Sequence, residues 1–218
     1  EPDEPIVCGA GYAAVGDQCV DIDECANVPG PCASVATCDN LPGSYQCVCD
    51  EGTLEVDSGC LSVETIAASD RHACAIVEGG GLYCWGDGIN NRTGIGTTTS
   101  VNSPTRVGSD TDVWTSLTVG TVHGCGLKGG QVHCWGWNTS GQVGDGSVST
   151  RPTPVLVTAS TGWTHIAPGH IHTCAIRQGE LWCWGNNDDG QLGDGTNTGK
   201  TVPTRIGTST NWTAIRGG

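Results

Sequence analysis

The stretch His172–Gly195, HTCAIRQGELWCWGNNDDGQLGDG, decides the fold. Cys174 stands four residues before Gln178, and Cys183 stands four after Gly179. If the chain turns at Gln178-Gly179, the two cysteines face each other across an antiparallel pair. A directly opposed, non-hydrogen-bonded pair has the Cα separation a disulfide needs. X-Gly is a favoured two-residue hairpin turn, because glycine takes positive φ without strain. The flanks CAIR and ELWCW supply strand formers. Cysteine-based metal centres usually use C-x-x-C pairs, and the chain contains none.

The device recurs. HGCGLKGGQVHCWG pairs Cys125 with Cys134 around Gly129-Gly130. HACAIVEGGGLYCWG pairs Cys74 with Cys84, with one extra residue in the turn. Closing loops this short contributes roughly 2–3 kcal/mol each. From residue 63 onward the whole pattern repeats: Cys74, Cys125 and Cys174 are spaced by 51 and 49, and Trp85-Gly86, Trp135-Gly136 and Trp184-Gly185 by 50 and 49. Trp114, Trp163 and Trp212 begin successive W-T strands. One such unit cannot bury its own apolar face, so a period of this size means a solenoid or a propeller.

Each unit accommodates four short strands, as a propeller blade does. In the second unit they read WTSLTVG, VHGCGL, QVHCWG and TPVLVT, with the glycine-rich loop WNTSGQVGDGS between the last two. The third unit has NNDDGQLGDGT at that place, and the first has DGINNRTGIGT, read as three residues longer before Gly94. The predicted class is all-β: small disulfide-rich modules plus three blades and the start of a fourth. The expected units are 63–112, 113–161, 162–210 and 211–218.

The composition agrees. The 218 residues include 35 glycines and 14 cysteines but no methionine or phenylalanine, and no stretch has a helical apolar period. No apolar run is long enough for a membrane span. An even cysteine count at regular spacing implies an oxidising compartment, hence a secreted, extracellular protein. Three glycosylation sequons fit that setting: Asn91-Arg92-Thr93, Asn138-Thr139-Ser140 and Asn211-Trp212-Thr213. The net charge of −14 is concentrated in residues 1–62, which hold twelve acids and no lysine or arginine. Such a surface repels phosphate backbones and excludes nucleic acid as a partner.

Residues 21–62 contain DIDECANVPGPCASVATCDNLPGSYQCVCDEGTLEVDSGC, with cysteines 25, 32, 38, 47, 49 and 60. Six cysteines allow fifteen pairings, and spacing does not choose among them. The segment resembles a calcium-binding epidermal growth factor-like domain, through D-I-D-E before the first cysteine and C-x-N-x-x-G-S-Y-x-C at Cys38–Cys47. The resemblance implies disulfides Cys25–Cys38, Cys32–Cys47 and Cys49–Cys60. It also implies a Ca²⁺ site with side-chain oxygens from Asp21, Glu24 and Asn40 and carbonyls from Ile22, Leu41 and Ser44. Those are the oxygen donors this hard cation takes. Gly43 permits the turn, and Tyr45 is expected to pack toward a neighbouring module. Residues 1–20 look like the last hairpin of a preceding, degenerate module, whose Cys8–Cys19 pair is what the other pairings leave.

The repeats resemble the regulator of chromosome condensation family, a β-propeller, through H-x-C-[AG]-[IL] and C-W-G-x-N…G-Q-[LV]-G-D-G. That family's propellers usually close with seven blades. Three blades cannot close a ring, so the expectation is a longer protein or a second chain that completes it. Cysteines at the hairpin positions suit a secreted branch and depart from the nuclear members, so nucleotide-exchange activity is not carried over. His72, His123 and His172 recur two residues before a cysteine and read as structural, bonding the backbone of the next turn. Asp188, Asp189 and Asp194 lack the oxygen spacing of a calcium loop and read as a tight turn. No G-x-S-x-G, H-E-x-x-H or phosphate-cradling loop occurs. The expected protein is therefore a non-enzymatic structural or adhesive glycoprotein in an extracellular assembly, matrix or filament. Its partners would be other extracellular proteins or further copies of itself. The alternative is a soluble binding module, an inhibitor or receptor ectodomain that uses propeller loops.

Overall fold

The computed structural model describes residues 7–15, 18–26, 32, 36–56 and 59–217. Residues 1–6 of the first expected segment and residue 218 of the last lie outside the described residues. The chain divides into two compact units, Glu1–Ser62 and Val63–Gly218.

The first unit is a set of hairpins held by disulfides. β1 (Tyr12–Val15) pairs with β2 (Gln18–Asp21), and Cys8 is bonded to Cys19. A short 3-10 turn, Glu24–Ala26, follows and packs against the next hairpin. That hairpin joins β3 (Ala36–Leu41) to β4 (Ser44–Cys49), with Leu41 opposite Ser44. Its tip is Pro42-Gly43, and Gly43 has φ 75°. Proline presets the first turn position and glycine takes the positive φ of the second. Disulfides join Cys25 to Cys38, Cys32 to Cys47 and Cys49 to Cys60. Most side chains here are exposed, so cross-links substitute for a core that so short a chain cannot build. β5 (Thr53–Val56) pairs with the opening residues of β6 (Gly59–Ala68).

The second unit is three antiparallel four-stranded meanders. The first blade uses residues 63–68 of β6 with β7 (His72–Val77), β8 (Gly81–Gly86) and β9 (Val101–Val107). The second is β10 (Trp114–Val119), β11 (His123–Lys128), β12 (Gln131–Gly136) and β13 (Arg151–Leu156). The third is β14 (Trp163–Pro168), β15 (His172–Arg177), β16 (Glu180–Gly185) and β17 (Lys200–Ile206).

Register follows from the central hairpins. Arg177 lies opposite Glu180 and Cys174 opposite Cys183, with Gln178 and Gly179 both at positive φ, the type I′ condition. Gly129-Gly130 do the same for Cys125 and Cys134. The three blade disulfides, Cys74–Cys84, Cys125–Cys134 and Cys174–Cys183, bridge Cα atoms 4.0–4.1 Å apart. β13 begins at Arg151, two residues earlier than the stretch TPVLVT suggests, and contains Pro152 and Pro154. It is an edge strand, where a missing N–H costs no ladder bond.

The apolar cores lie between blades. One gathers Cys74, Ile76, Leu82 and Cys84 of the first blade with Trp114, Leu117 and Trp135 of the second. The other gathers Leu127, Val132 and Val143 of the second with Trp163, Ile166 and Trp184 of the third. Edge-on indole pairs complete each, Trp114–Trp135 at 6.0 Å and Trp163–Trp184 at 6.5 Å between centroids. Such contacts add about 0.5–1.5 kcal/mol beyond burial. Trp212 opens a further copy: its N–H bonds the Gly179 carbonyl at 3.0 Å, as Trp114 bonds Gly80 at 2.9 Å.

Candidate calcium site and the blade junctions

In the first unit the structure brings Asp21 and Asn40 into contact. Asp21 ends β2, and its Oδ2 accepts a hydrogen bond from Asn40 Nδ2 at 2.7 Å. Its Oδ1 accepts the Gly43 N–H at 2.6 Å, so one carboxylate ties the tip of the β3–β4 hairpin. Leu41 and Ser44 flank that tip, and Glu24 sits on the 3-10 turn that packs against the same hairpin. Ile22 is fixed by its N–H bond to the Gly11 carbonyl at 2.9 Å. The expected donor set is all oxygen: two carboxylates, one amide and three main-chain carbonyls. Among the described residues no three His, Cys, Asp or Glu side chains gather as a metal group. A site with only two carboxylates and a majority of neutral oxygens does not need one, and its chemistry fits Ca²⁺. The tip also leans on the preceding hairpin. A Cβ on Gly43 would stand 2.7 Å from the Tyr12 ring, and one on Gly11 would stand 2.1 Å from the Gly43 carbonyl. Tyr12 thus makes a contact between the two modules of this unit, and Tyr45 is 43% exposed.

In the second unit the repeated letters meet at blade junctions. The Trp184 indole N–H donates to the Gln142 carbonyl of the previous blade at 2.9 Å, and Trp135 donates to the Arg92 carbonyl at 3.0 Å. Both indoles lie where a glycine leaves room: a Cβ on Gly144 would come within 2.4 Å of Trp184, and one on Gly94 within 2.6 Å of Trp135. This equivalence of Gly94 with Gly144 corrects the expected three-residue insertion, since both glycines lie eight residues after a Trp-Gly.

Asn138 is fully buried in the blade-two loop. Its Oδ1 accepts the Val143 N–H at 2.8 Å, while its Nδ2 faces the Ser147 and Ser149 carbonyls at 3.1 and 3.0 Å. Asn187 repeats this with Leu192, Thr196 and Thr198. Asn138 as a glycosylation site is therefore corrected: the amide nitrogen that would carry the sugar is committed inside the loop. In the first blade Gly88 takes this place, and a Cβ there would stand 2.2 Å from the Thr99 carbonyl, so backbone proximity replaces the side-chain bridge. Asp145 pairs with Arg151, and Asp194 with Lys200 at 3.1 Å. The Thr196 hydroxyl and N–H, with Lys200, hold the Asp194 carboxyl well below the usual range. These acids are loop staples.

The recurring histidines differ from expectation in their partners. His123 Nε2 meets the Thr173 hydroxyl of the next blade at 2.7 Å, and that hydroxyl donates to the Gln142 carbonyl at 2.9 Å. The partner is thus a side chain rather than the backbone of the next turn. His72 Nδ1 meets Ser69 Oγ at 2.9 Å. Burial pushes His123 down to about 3 and His72 down to about 4; neighbouring histidines add to the first shift and Arg92 to the second. Burial lowers His172 as well.

Comparison with known families matches residues 21–60 to the calcium-binding EGF domain. Residues 129–176 and 178–218, and separately 63–92, match the regulator of chromosome condensation (RCC1) repeat. The chain is a calcium-binding EGF domain followed by RCC1 repeats. The RCC1 matches at 129–176 and 178–218 start at or inside a central hairpin and run into the next blade, so each sequence repeat straddles a junction. Among solved structures, human WBSCR16 aligns at 22% identity with a TM-score of 0.66, covering 82% of this chain and 46% of that one. Prp20p from Saccharomyces cerevisiae aligns at 23% identity with a TM-score of 0.61, covering 67% and 38%. At these identities the likeness establishes the propeller fold, and the chain spans less than half the length of either relative. Comparison with curated proteins found no match. No helix among the described residues is long and apolar enough to cross a membrane. The EGF domain and the disulfides point to an extracellular setting.

The indole–glycine junction and the Asn138 and Asn187 bridges were not read as such from the sequence. The signal was present: Asn187 occupies the Asn138 position without a sequon, as a structural asparagine would.

Proposed function

We propose that the protein is a secreted, non-enzymatic protein that works by binding and assembling with other extracellular proteins, with Ca²⁺ stiffening the EGF domain. Asp21, Glu24 and Asn40 would hold the ion with the carbonyls of Ile22, Leu41 and Ser44. The bound cation would supply a cross-link between the end of β2 and the β3–β4 tip, limiting hinge motion there.

One observation carries the assembly reading. Leu117 and Ile166 are buried against a preceding blade, whereas Ile66, at the same place in the first blade, is 62% exposed. Trp135 and Trp184 are fully buried, whereas Trp85 is half-buried and lines an open cavity of about 460 Å³ with Ser100, Val101 and Asn102. A flank of this kind invites a further blade, from the same polypeptide or another copy. Protein binding also suits a fold relative: Prp20p, the yeast RCC1, is described by its binding to Gsp1p and histones and by its complex with Kap60. That likeness is one of fold, and the acidic chain here would choose different partners.

Sedimentation and electron microscopy of the native protein test the reading. Filaments or defined oligomers are the expected result. A monomer that binds one protein tightly would favour the soluble binding module instead.

A further inference from the structure

The internal repeats allow each sequon to be judged by what its position does in the other blades. We propose that Asn211 carries an N-linked oligosaccharide on the propeller rim, while Asn138 stays unmodified.

Asn211, Trp212 and Thr213 are exposed and belong to no strand. The exposure of Trp212 marks an uncovered flank, since Trp114 and Trp163 at its place are buried, but that of Asn211 and Thr213 does not. The position before the blade-opening tryptophan is Val113 in the second blade, 55% exposed, and Gly162 in the third, also exposed. Thr115 and Thr164, two residues on, are exposed as well. Both places therefore face solvent in the second blade, which has a neighbouring blade packed on each side, as well as in the third. At Trp212 the backbone is pinned, because its N–H donates to the Gly179 carbonyl. The asparagine amide and the threonine hydroxyl thus sit on a fixed, solvent-facing segment, the requirement for keeping a bulky polar modification on a folded domain.

The other two sequons fail this comparison. Asn138 is buried with its amide committed. Asn91 is half-buried at φ 57°, and the Thr93 of its sequon is fully buried. Its counterpart in the second blade, Gly141, is buried against Thr201 of the third, where a Cβ would come within 2.9 Å. A sugar at Asn91 would stand at a blade junction; one at Asn211 would not.

The transfer forms a bond from Asn211 Nδ2 to the anomeric carbon of a lipid-pyrophosphate-linked oligosaccharide. It breaks the bond from that carbon to the pyrophosphate oxygen, and the lipid pyrophosphate leaves. The amide gives up one proton to the transferase base.

The inference rests on passage through a secretory pathway, as proposed above, so the test scores disulfides and sugar together. Residues 1–218 are produced through the secretory pathway of a eukaryotic host and collected from lysate and medium. The protein is treated with peptide N-glycosidase, and intact mass and peptide mapping are compared before and after. The expected result is loss of one glycan mass, with Asn211 converted to aspartate and Asn138 unchanged. Asn211→Gln and Thr213→Ala should each remove that shift, and Thr213→Ser should keep it. Oxidised cysteines with an unmodified Asn211, or a sugar on Asn138 in folded protein, would overturn the inference alone. Free thiols with no sugar would overturn the secreted reading as well.

Discussion

Acid should weaken the propeller well before its carboxylates titrate. His123 is fully buried and His72 nearly so, with imidazoles pushed down from 6.5 to about 3 and about 4. Below pH 6.5 the unfolded chain takes up protons that the folded state refuses, so stability falls as pH falls, down to the folded values. Between pH 7 and pH 5 each of the two contributes a loss of about 2 kcal/mol, together about 4 kcal/mol. His172, also lowered by burial, adds in the same direction. The carboxylates stabilised in loops, Asp87 and Asp194 among them, have lowered values and lose their contribution only at more acid pH. All eight tryptophans lie in residues 63–218, so indole fluorescence reports the blades without interference from the EGF domain. Urea unfolding followed by that signal at pH 7, 6 and 5 gives the slope. His72→Asn should lower stability at pH 7 and remove about half of the pH dependence. A stability unchanged from pH 7 to pH 5 would refute the reasoning, because buried neutral imidazoles cannot give that result.

Other outcomes follow from single contacts. Asn187→Ala would leave the Leu192 N–H and the Thr196 and Thr198 carbonyls without their bridge, at a cost of about 3 kcal/mol; a melting temperature within a degree of the parent would contradict the bridge. Trp184→Phe keeps most of the packing but loses the donor to Gln142, so a loss of about 1–2 kcal/mol is expected in the same unfolding assay. Gly124→Ala would place a methyl 2.6 Å from the Trp135 ring and should cost about 1–3 kcal/mol, whereas a neutral result would mean the indole can shift freely. Asp21→Asn removes a charged ligand and weakens the anchor of the hairpin tip, so calorimetry should show Ca²⁺ affinity at least about tenfold lower; unchanged affinity would place the ion elsewhere.

Local order was legible in the sequence because it depends on neighbours along the chain. The arithmetic around Gln178-Gly179 fixes which residues oppose each other, since a two-residue turn leaves one register. Three copies of Cys…Cys-Trp-Gly at a near-constant period specify blades, since no single unit buries its tryptophans. The D-I-D-E and C-x-N letters make the calcium-binding EGF domain legible because hard oxygen donors must be written into the chain. What only the tertiary structure decided lies between elements. The tryptophan after each second cysteine reads as core from its strand position, but the Gln142 carbonyl that receives Trp184 belongs to another blade, 42 residues away. His123 finds a hydroxyl at Thr173, 50 residues away, where the second blade offers His72 only Gly124. Asn138 looks like a sugar site in three letters, and packing turns it into a loop bridge. A sequon is a local pattern, whereas whether its amide faces water depends on the Val143 N–H and the Ser147 and Ser149 carbonyls that the folded loop gathers around it.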